Sequence, residues 1–298
     1  MNSPDSVSRE VILAGVAYVA LLGFAVTPTT RILATSLLPV PLIVLTVKNI
    51  RWAPVGMAAL SALLMAVLGY TWFSPLFGLV VYFMGWSMGE ALKSNRAPYQ
   101  SLVVGTLSVV MLELVGFAML RSMGLDFYAT FRTVLLESVQ QSSSMPQEAA
   151  RNLIADLVDR VHLLTPAILC VAGFLISLAN VLGAKLILGP RSCATGLLTQ
   201  YQLPQTVVAV YVIASVALLF PPGDSTSFWW QACVNAAYLG GFFIGIQGLS
   251  WCWRMVQPMR SKWLILVLLL ILAPIPFVHS IYILAGLLDL MNRANRMR

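Results

Sequence analysis

An all-α, polytopic transmembrane bundle of about eight to ten spans is the fold this sequence predicts, and three observations predict it. Of 298 residues, 59% are hydrophobic and only 10% charged, against about 25% charged in soluble domains. Apolar runs long enough to cross a bilayer, which takes about 20 residues each, recur along the whole chain. Lysine and arginine fall singly between those runs, as topology determinants do. The net charge of +7 therefore marks no nucleic-acid surface, and no nucleic-acid partner is expected. Lipid is the expected solvent, and residues 1–298 are read as a single transmembrane domain carrying an inserted segment at 122–163.

The elements follow in order. Val11 to Val26 is longer than a signal-peptide core, and the leader before it carries Asp5 and Glu10, so it is read as a retained first helix. The candidate spans are 10–28, 32–47, 52–72, 75–92, 101–121, 164–187, 206–220, 229–252 and 263–290. Interfacial tryptophans mark several ends: Trp52 and Trp72 bracket one span, and Trp229-Trp230 and Trp251/Trp253 another. The second span is short and contains Pro39-Val40-Pro41, which predicts a re-entrant or unwound stretch. The last run, Trp263 to Leu290, is broken by Pro274-Ile275-Pro276. It is too long for one straight crossing and too short for two, so a hairpin or a strongly kinked helix is expected.

Lys48/Arg51, Lys93/Arg96, Lys185/Arg191 and Arg254/Arg260/Lys262 alternate with connections poor in positive charge, such as Tyr70–Ser74 and Pro221–Phe228. The positive-inside rule then places the N-terminus in the cytoplasm of a cell with the chain multi-pass in its inner (plasma) membrane. A hairpin at the second Pro-x-Pro brings the tail with Arg293, Arg296 and Arg298 back to the same side.

The insertion at 122–163 falls on the outer face in this topology. Phe127, Phe131, Leu135 and Val139 repeat every four residues and predict an amphipathic helix over 126–140. Ser144, Pro146 and Gln147 form a capping-box pattern opening a second helix, with Ala150, Leu153, Ile154, Leu157 and Val161 on its apolar face. Glu148/Arg151 and Asp156/Arg160 stand at helical pair spacing on its polar side. Such a pair can cover the outer ends of the bundle, lid a cavity or dock a partner.

Small residues at four-residue spacing predict close helix packing: Ala58/Ala62/Ala66, Gly85/Gly89, Gly173/Ser177 and Ala237/Gly241/Gly245. Glu113 is the sharpest polar residue. It lies inside the span Leu102–Leu120 with no basic residue within a turn, where a charge costs about 2.5–3.5 kcal/mol. It reads either as a ligand, proton or cation contact or as a protonated carboxyl bonded to a neighbouring helix. Thr106 and Gly116 share its face. Ser177 and Asn180 lie on one stripe, and Asn180, with Asn235 and Gln247, is placed to contact a polar ligand or to bond between helices. His279 follows the second Pro-x-Pro by three residues. A lone histidine of this kind is a ligand candidate or a local hydrogen-bonding group. Glu90, three residues before Lys93, predicts an interfacial ion pair. The candidate ligand-binding set is therefore Glu113, Asn180, Thr106, Ser177 and His279.

No catalytic set emerges. GxxxxGK[ST] and HExxH are absent, so the chain has no phosphate loop for ATP and is not read as an enzyme. Cys170, Cys193, Cys233 and Cys252 lack CxxC spacing, and neither a metal nor another cofactor is expected.

Three passages, Leu38-Pro39-Val40-Pro41-Leu42, Tyr201-Gln202-Leu203-Pro204 and Ala285-Gly286-Leu287-Leu288-Asp289-Leu290, resemble the YybS-like family of bacterial membrane proteins over nearly the whole chain. That family looks distantly similar to the substrate-binding components of energy-coupling-factor vitamin transporters. The resemblance implies a helical bundle with a small-molecule cavity, working with other membrane subunits and a separate ATPase. The departures are that the first helix offers Ala14, Ala17 and Ala20 at three-residue spacing rather than an alanine-x-x-x-alanine docking pattern, and that the spans exceed the usual six. The leading expectation is a transport-related subunit that binds an unknown small molecule. The other is a cell-envelope scaffold that assembles membrane partners.

Overall fold

The computed structural model describes residues 4–27, 29–50, 52–67, 74–93, 99–142, 147–189, 201, 203–220, 227–273 and 275–296. Among them there are twelve helices and no strand. Four helices are long and apolar enough to cross a membrane: Ser74–Lys93, Ser101–Ser122, Glu148–Leu188 and Phe228–Val256. The proline-broken C-terminal pair makes a fifth if its two arms are one span. Glu10–Val26, Arg31–Val47, Trp52–Val67 and Gln205–Ala217 are apolar but shorter. The all-helical membrane fold is thus as expected, while length and composition support four or five crossings rather than eight to ten.

Contacts divide the chain into two compact units, Met1–Val115 with Ala172–Ala194, and Gly116–Val171 with Thr195–Arg298. The first unit contains α1 (Pro4–Val26), α2 (Arg31–Leu37), α3 (Pro39–Val47), α4 (Trp52–Val67) and α5 (Ser74–Lys93). It also takes most of α6 (Tyr99–Ser122) and the end of α8 (Gln147–Leu188). Its centre is α3, whose residues Pro39 to Thr46 are all buried. Leu38, Leu42 and Leu45 pack there with Tyr18 and Leu22 of α1, Met57 of α4 and Val81 of α5.

Glycines explain how so short a helix is enclosed. A Cβ on Gly85 would lie 2.5 Å from Leu42 Cβ, and one on Gly89 would lie 2.5 Å from Thr46 Cβ. A Cβ on Gly78 would meet the Ala58 carbonyl at 2.6 Å. The small-residue stripes of α4 and α5 are therefore spent on packing inside this unit.

The Pro39-Val40-Pro41 stretch stays helical. Leu38, between α2 and α3, has φ −52° and ψ −35°, so the chain passes the prolines with one turn residue rather than unwinding. The far end of α3 stops in a Schellman motif, with Asn49 at φ 65°. Ile50 N donates to Leu45 O and Asn49 N to Thr46 O, both at 3.0 Å. At the α1–α2 corner Arg31 Nε reaches Ala25 O and its terminal nitrogen Val26 O, both at 3.3 Å, serving the last carbonyls of α1.

The second unit holds α7 (Phe127–Ser142), the first part of α8, α9 (Gln205–Ala217), α10 (Phe228–Val256), α11 (Lys262–Leu272) and α12 (Pro276–Arg296). Gly124, at φ 74°, ends α6. Asp126 then caps α7 by accepting from Tyr128 N at 2.9 Å and Ala129 N at 3.2 Å. The inner face of α7 is Tyr128, Phe131, Leu135 and Val139, close to the expected stripe.

The second insertion helix is not separate from the following span. Both belong to α8, 42 residues in one piece with Pro166 inside it. Its buried stripe is Ala150, Ile154 and Val158, whereas Leu153 and Leu157 are exposed. The capping-box residues Ser144 and Pro146 lie outside the described residues.

Packing in this unit is tightest between α10 and α12. A Cβ on Gly248 would collide with the Tyr282 carbonyl oxygen, and one on Gly286 with the Ile244 carbonyl oxygen. Backbone meets backbone there, and only glycine fits. Between α11 and α12 the chain bends by 116°, so the C-terminal run is strongly bent, as its prolines predict. Pro274 itself lies outside the described residues.

Candidate functional site

Each proline inside an apolar helix removes a backbone donor and strands a carbonyl one turn earlier, where no water is present to replace it. Three of the buried polar side chains, Asn235, Asn180 and Gln247, bond the backbone at or beside prolines.

At Pro166 the amide of Asn235, on α10, is inserted into the hydrogen-bond ladder of α8. Its Oδ1 accepts from Ala167 N at 3.0 Å, and its Nδ2 donates to Leu163 O at 2.8 Å. In an unbroken helix those two backbone groups would bond each other. The side chain is a replacement rung, anchored by a further bond from Nδ2 to Gln231 O at 2.8 Å. The bonds keep both backbone groups paired where α8 continues past its proline.

Pro39 and Pro41 cannot donate to the preceding turn, and there Asn180 of α8 donates through Nδ2 to Ser36 O at 2.7 Å and to its own Ile176 O at 2.8 Å. Ahead of Pro204, the Leu203 N–H donates to Gln247 Oε1 at 3.2 Å. Beside the α11–α12 bend, the Tyr282 hydroxyl donates to Leu269 O at 2.9 Å, one of the terminal carbonyls a helix leaves unpaired.

Gln247, fully buried, also joins a charged cluster that sequence reasoning missed. Its Nε2 donates to Asp289 Oδ2 at 2.6 Å, and Arg254 approaches the same oxygen at 2.7 Å. Arg254 reaches Ser250 Oγ at 2.9 Å as well. Two passages singled out above, Tyr201–Pro204 and Ala285–Leu290, therefore converge on one glutamine. The available signal was a lone aspartate ending an apolar run. Burial pushes the phenol of Tyr201, in the connection that leads to Leu203, above its ordinary value.

The five ligand candidates do not form one cluster. Thr106 donates to Leu102 O of its own helix at 2.7 Å, and its backbone oxygen lies where α6 meets Gly173 of α8. Ser177 is at the same crossing, opposite Gly105, where an added Cβ would stand 2.7 Å from its Oγ. Asn180 is one turn further along. Glu113 is eight residues beyond Gly105 on α6, about 12 Å along the axis. His279 belongs to the other unit, where its ring packs on Gly245 and a Cβ there would fall 2.9 Å from Cε1. Three of the candidates keep a buried oxygen without a hydrogen-bond partner: Ser177 Oγ, Asn180 Oδ1 and one carboxylate oxygen of Glu113.

A second polar region lies at the C-terminal end of α3. Thr46, Asn49, Pro54, Tyr82, Trp86 and Glu90 line a pocket of about 620 Å³. Glu90 stands 3.6 Å from Lys93, the ion pair its spacing predicts, while Lys48 is held by Glu10 at 2.5 Å. An open apolar groove of about 370 Å³ separates α5 from α6, lined by leucines and Phe83. Among the described residues no group of three or more His, Cys, Asp or Glu is positioned to hold a metal ion.

A bundle of apolar helices, stitched at its proline breaks by buried carboxamides, defines an integral membrane protein. The chain belongs to the family described as "Predicted membrane protein (DUF2232)", whose model matches residues 15–290. It is similar to "Uncharacterized protein YybS" of Bacillus subtilis (strain 168), 26% identical over 278 residues covering 85% of each chain. No solved structure matches it.

Proposed function

We propose that the protein is a membrane-embedded, transport-related subunit that binds a small molecule, supplies no ATP site of its own and works with other membrane subunits and a separate ATPase. The observation that carries this reading is the pair of buried oxygens without a hydrogen-bond partner on neighbouring turns of α8, Ser177 Oγ at the α6–α8 crossing and Asn180 Oδ1 on the residue that bonds Ser36 O. An unsatisfied buried polar atom costs about 1–3 kcal/mol, and a bound molecule bearing N–H or O–H groups removes that cost. Thr106 shares their crossing, and Glu113 supplies a further acceptor on the same helix. The topology that fits the charge distribution is multi-pass in the plasma membrane, N-terminus in the cytoplasm, with the shorter apolar helices also crossing.

A thermal-shift screen of vitamins, amines and nucleobases on the purified full chain tests the reading. The expected result is a stabilising compound whose shift disappears in Ser177→Ala while the unliganded melting temperature stays put. A compound whose shift survives both Ser177→Ala and Glu113→Gln overturns the site.

A scaffold role in the cell envelope is the second reading. The apolar side chains exposed on α7 and the start of α8, Val134, Leu153 and Leu157, support it, because a docking face needs such a patch. Crosslinking separates the two: an ATPase with a transport subunit favours the first, wall-synthesis proteins the second.

A further inference from the structure

We propose that the pocket at the C-terminal end of α3 is a binding site for an alkylammonium group, independent of the oxygens at the α6–α8 crossing. The pocket's volume of about 620 Å³ is within the roughly 300–1,000 Å³ of small-molecule sites. Its lining combines the rings of Tyr82 and Trp86, one turn apart on α5, with the carboxylate of Glu90 on the next turn and the polar side chains of Asn49 and Thr46. An aromatic face attracts a cation through its quadrupole, and a carboxylate completes the recognition.

Charge balance points the same way. The basic residue adjoining the pocket on the α3 side, Lys48, is already neutralised by Glu10. Glu90 is left facing Lys93, at 3.6 Å and with both side chains a third or more exposed. So loose and exposed a pair is worth about 0–1 kcal/mol, and an incoming ammonium can displace it. Lys93 is itself an alkylammonium resting at that carboxylate, an internal stand-in for the ligand.

The backbone adds to this. The chain enters the pocket at Asn49, just past the carbonyl end of α3, and Glu90 lies in the carbonyl-bearing last turn of α5. Helix C-termini carry partial negative charge, which favours cations and disfavours anions. The N-terminal turn of α4 at Pro54 opposes them, one end against two.

The ammonium group can belong to a free amine or to a phospholipid headgroup, and the experiment distinguishes them. Choline and ethanolamine are titrated by calorimetry into the full chain in detergent. Phosphatidylethanolamine is compared with phosphatidylglycerol by native mass spectrometry of the chain released from nanodiscs. Binding of either free amine, weakened about tenfold or more in both Glu90→Gln and Trp86→Leu, supports the site with a soluble ligand. Retention of phosphatidylethanolamine alone, lost in the same two variants, supports it with a lipid headgroup. Both side chains are exposed enough that the variants should keep the parent melting temperature, and a third variant, Tyr82→Leu, serves if either does not. No binding of any amine, or equal binding by parent and variants, overturns the proposal. So does binding of inorganic phosphate that tightens in Glu90→Gln.

Discussion

Asn235 and Asn180 look alike in the sequence, each a lone amide in an apolar span, yet the structure gives them unequal work. Asn235 satisfies a backbone donor and a backbone acceptor of another helix, whereas Asn180 satisfies one acceptor there. Asn235→Ala should therefore lower stability by roughly 1–3 kcal/mol, and Asn180→Ala by about half as much. Unfolding titrations in mixed detergent measure the difference, and equal losses would show that the replacement rung carries no special weight. The Asp289 cluster follows the same logic at higher charge. A buried acid in the last apolar run was visible in the sequence, but its partners were not, because Arg254 and Gln247 lie 35 and 42 residues away. Pairings of that separation are set by how helices pack, which local pattern does not encode.

The glycines show what a helix face needs. Gly286 leaves no space for a methyl group against the Ile244 carbonyl, whereas Gly23 of α1 has nothing within 4 Å. Gly286→Ala is expected to separate α10 from α12 and cost several kcal/mol, about 3 or more. Gly23→Ala is expected to stabilise α1 by about 0.5–1 kcal/mol, since glycine inside a helix is less favourable than alanine by that amount. Thermal unfolding of the two variants side by side checks both signs. The amphipathic pattern of α7 and the bend near Pro276 were legible in advance because each depends on neighbours in sequence. The continuity of α8 was not. The change from polar to apolar composition argued for an insertion helix followed by a separate span, whereas the structure has one helix whose ladder at Pro166 is completed by the amide of Asn235.

For the molecule as a whole, composition was enough to fix lipid as the solvent, because no soluble packing hides this much apolar surface. The number of crossings was harder to read. Apolar runs of 13 to 17 residues, such as Gln205–Ala217 and Arg31–Val47, fall below a straight crossing of about 20 residues. Tilt and local thinning of the bilayer decide their fate. The ligand candidates were legible one at a time as polar residues at depth, but not as a site, since the structure distributes them over two separate units. Cysteine-accessibility labelling at Gly124, at the α6–α7 turn, and at Ser261, before α11, reads the topology directly. The charge distribution predicts opposite sides, and labelling from the same side would reverse the proposed orientation.

The rung that Asn235 supplies has a bearing on biogenesis. A ribosome makes α8 well before α10, so the earlier helix enters the translocon with a gap at Leu163 and Ala167 that nothing yet synthesised can close. The nascent chain must hold that gap open, hydrated or guarded by an insertase, until the later segment arrives. Stalled chains ending near residue 225 should accordingly be cut by protease or exchange amide hydrogens around Pro166, and chains carried past residue 256 should not.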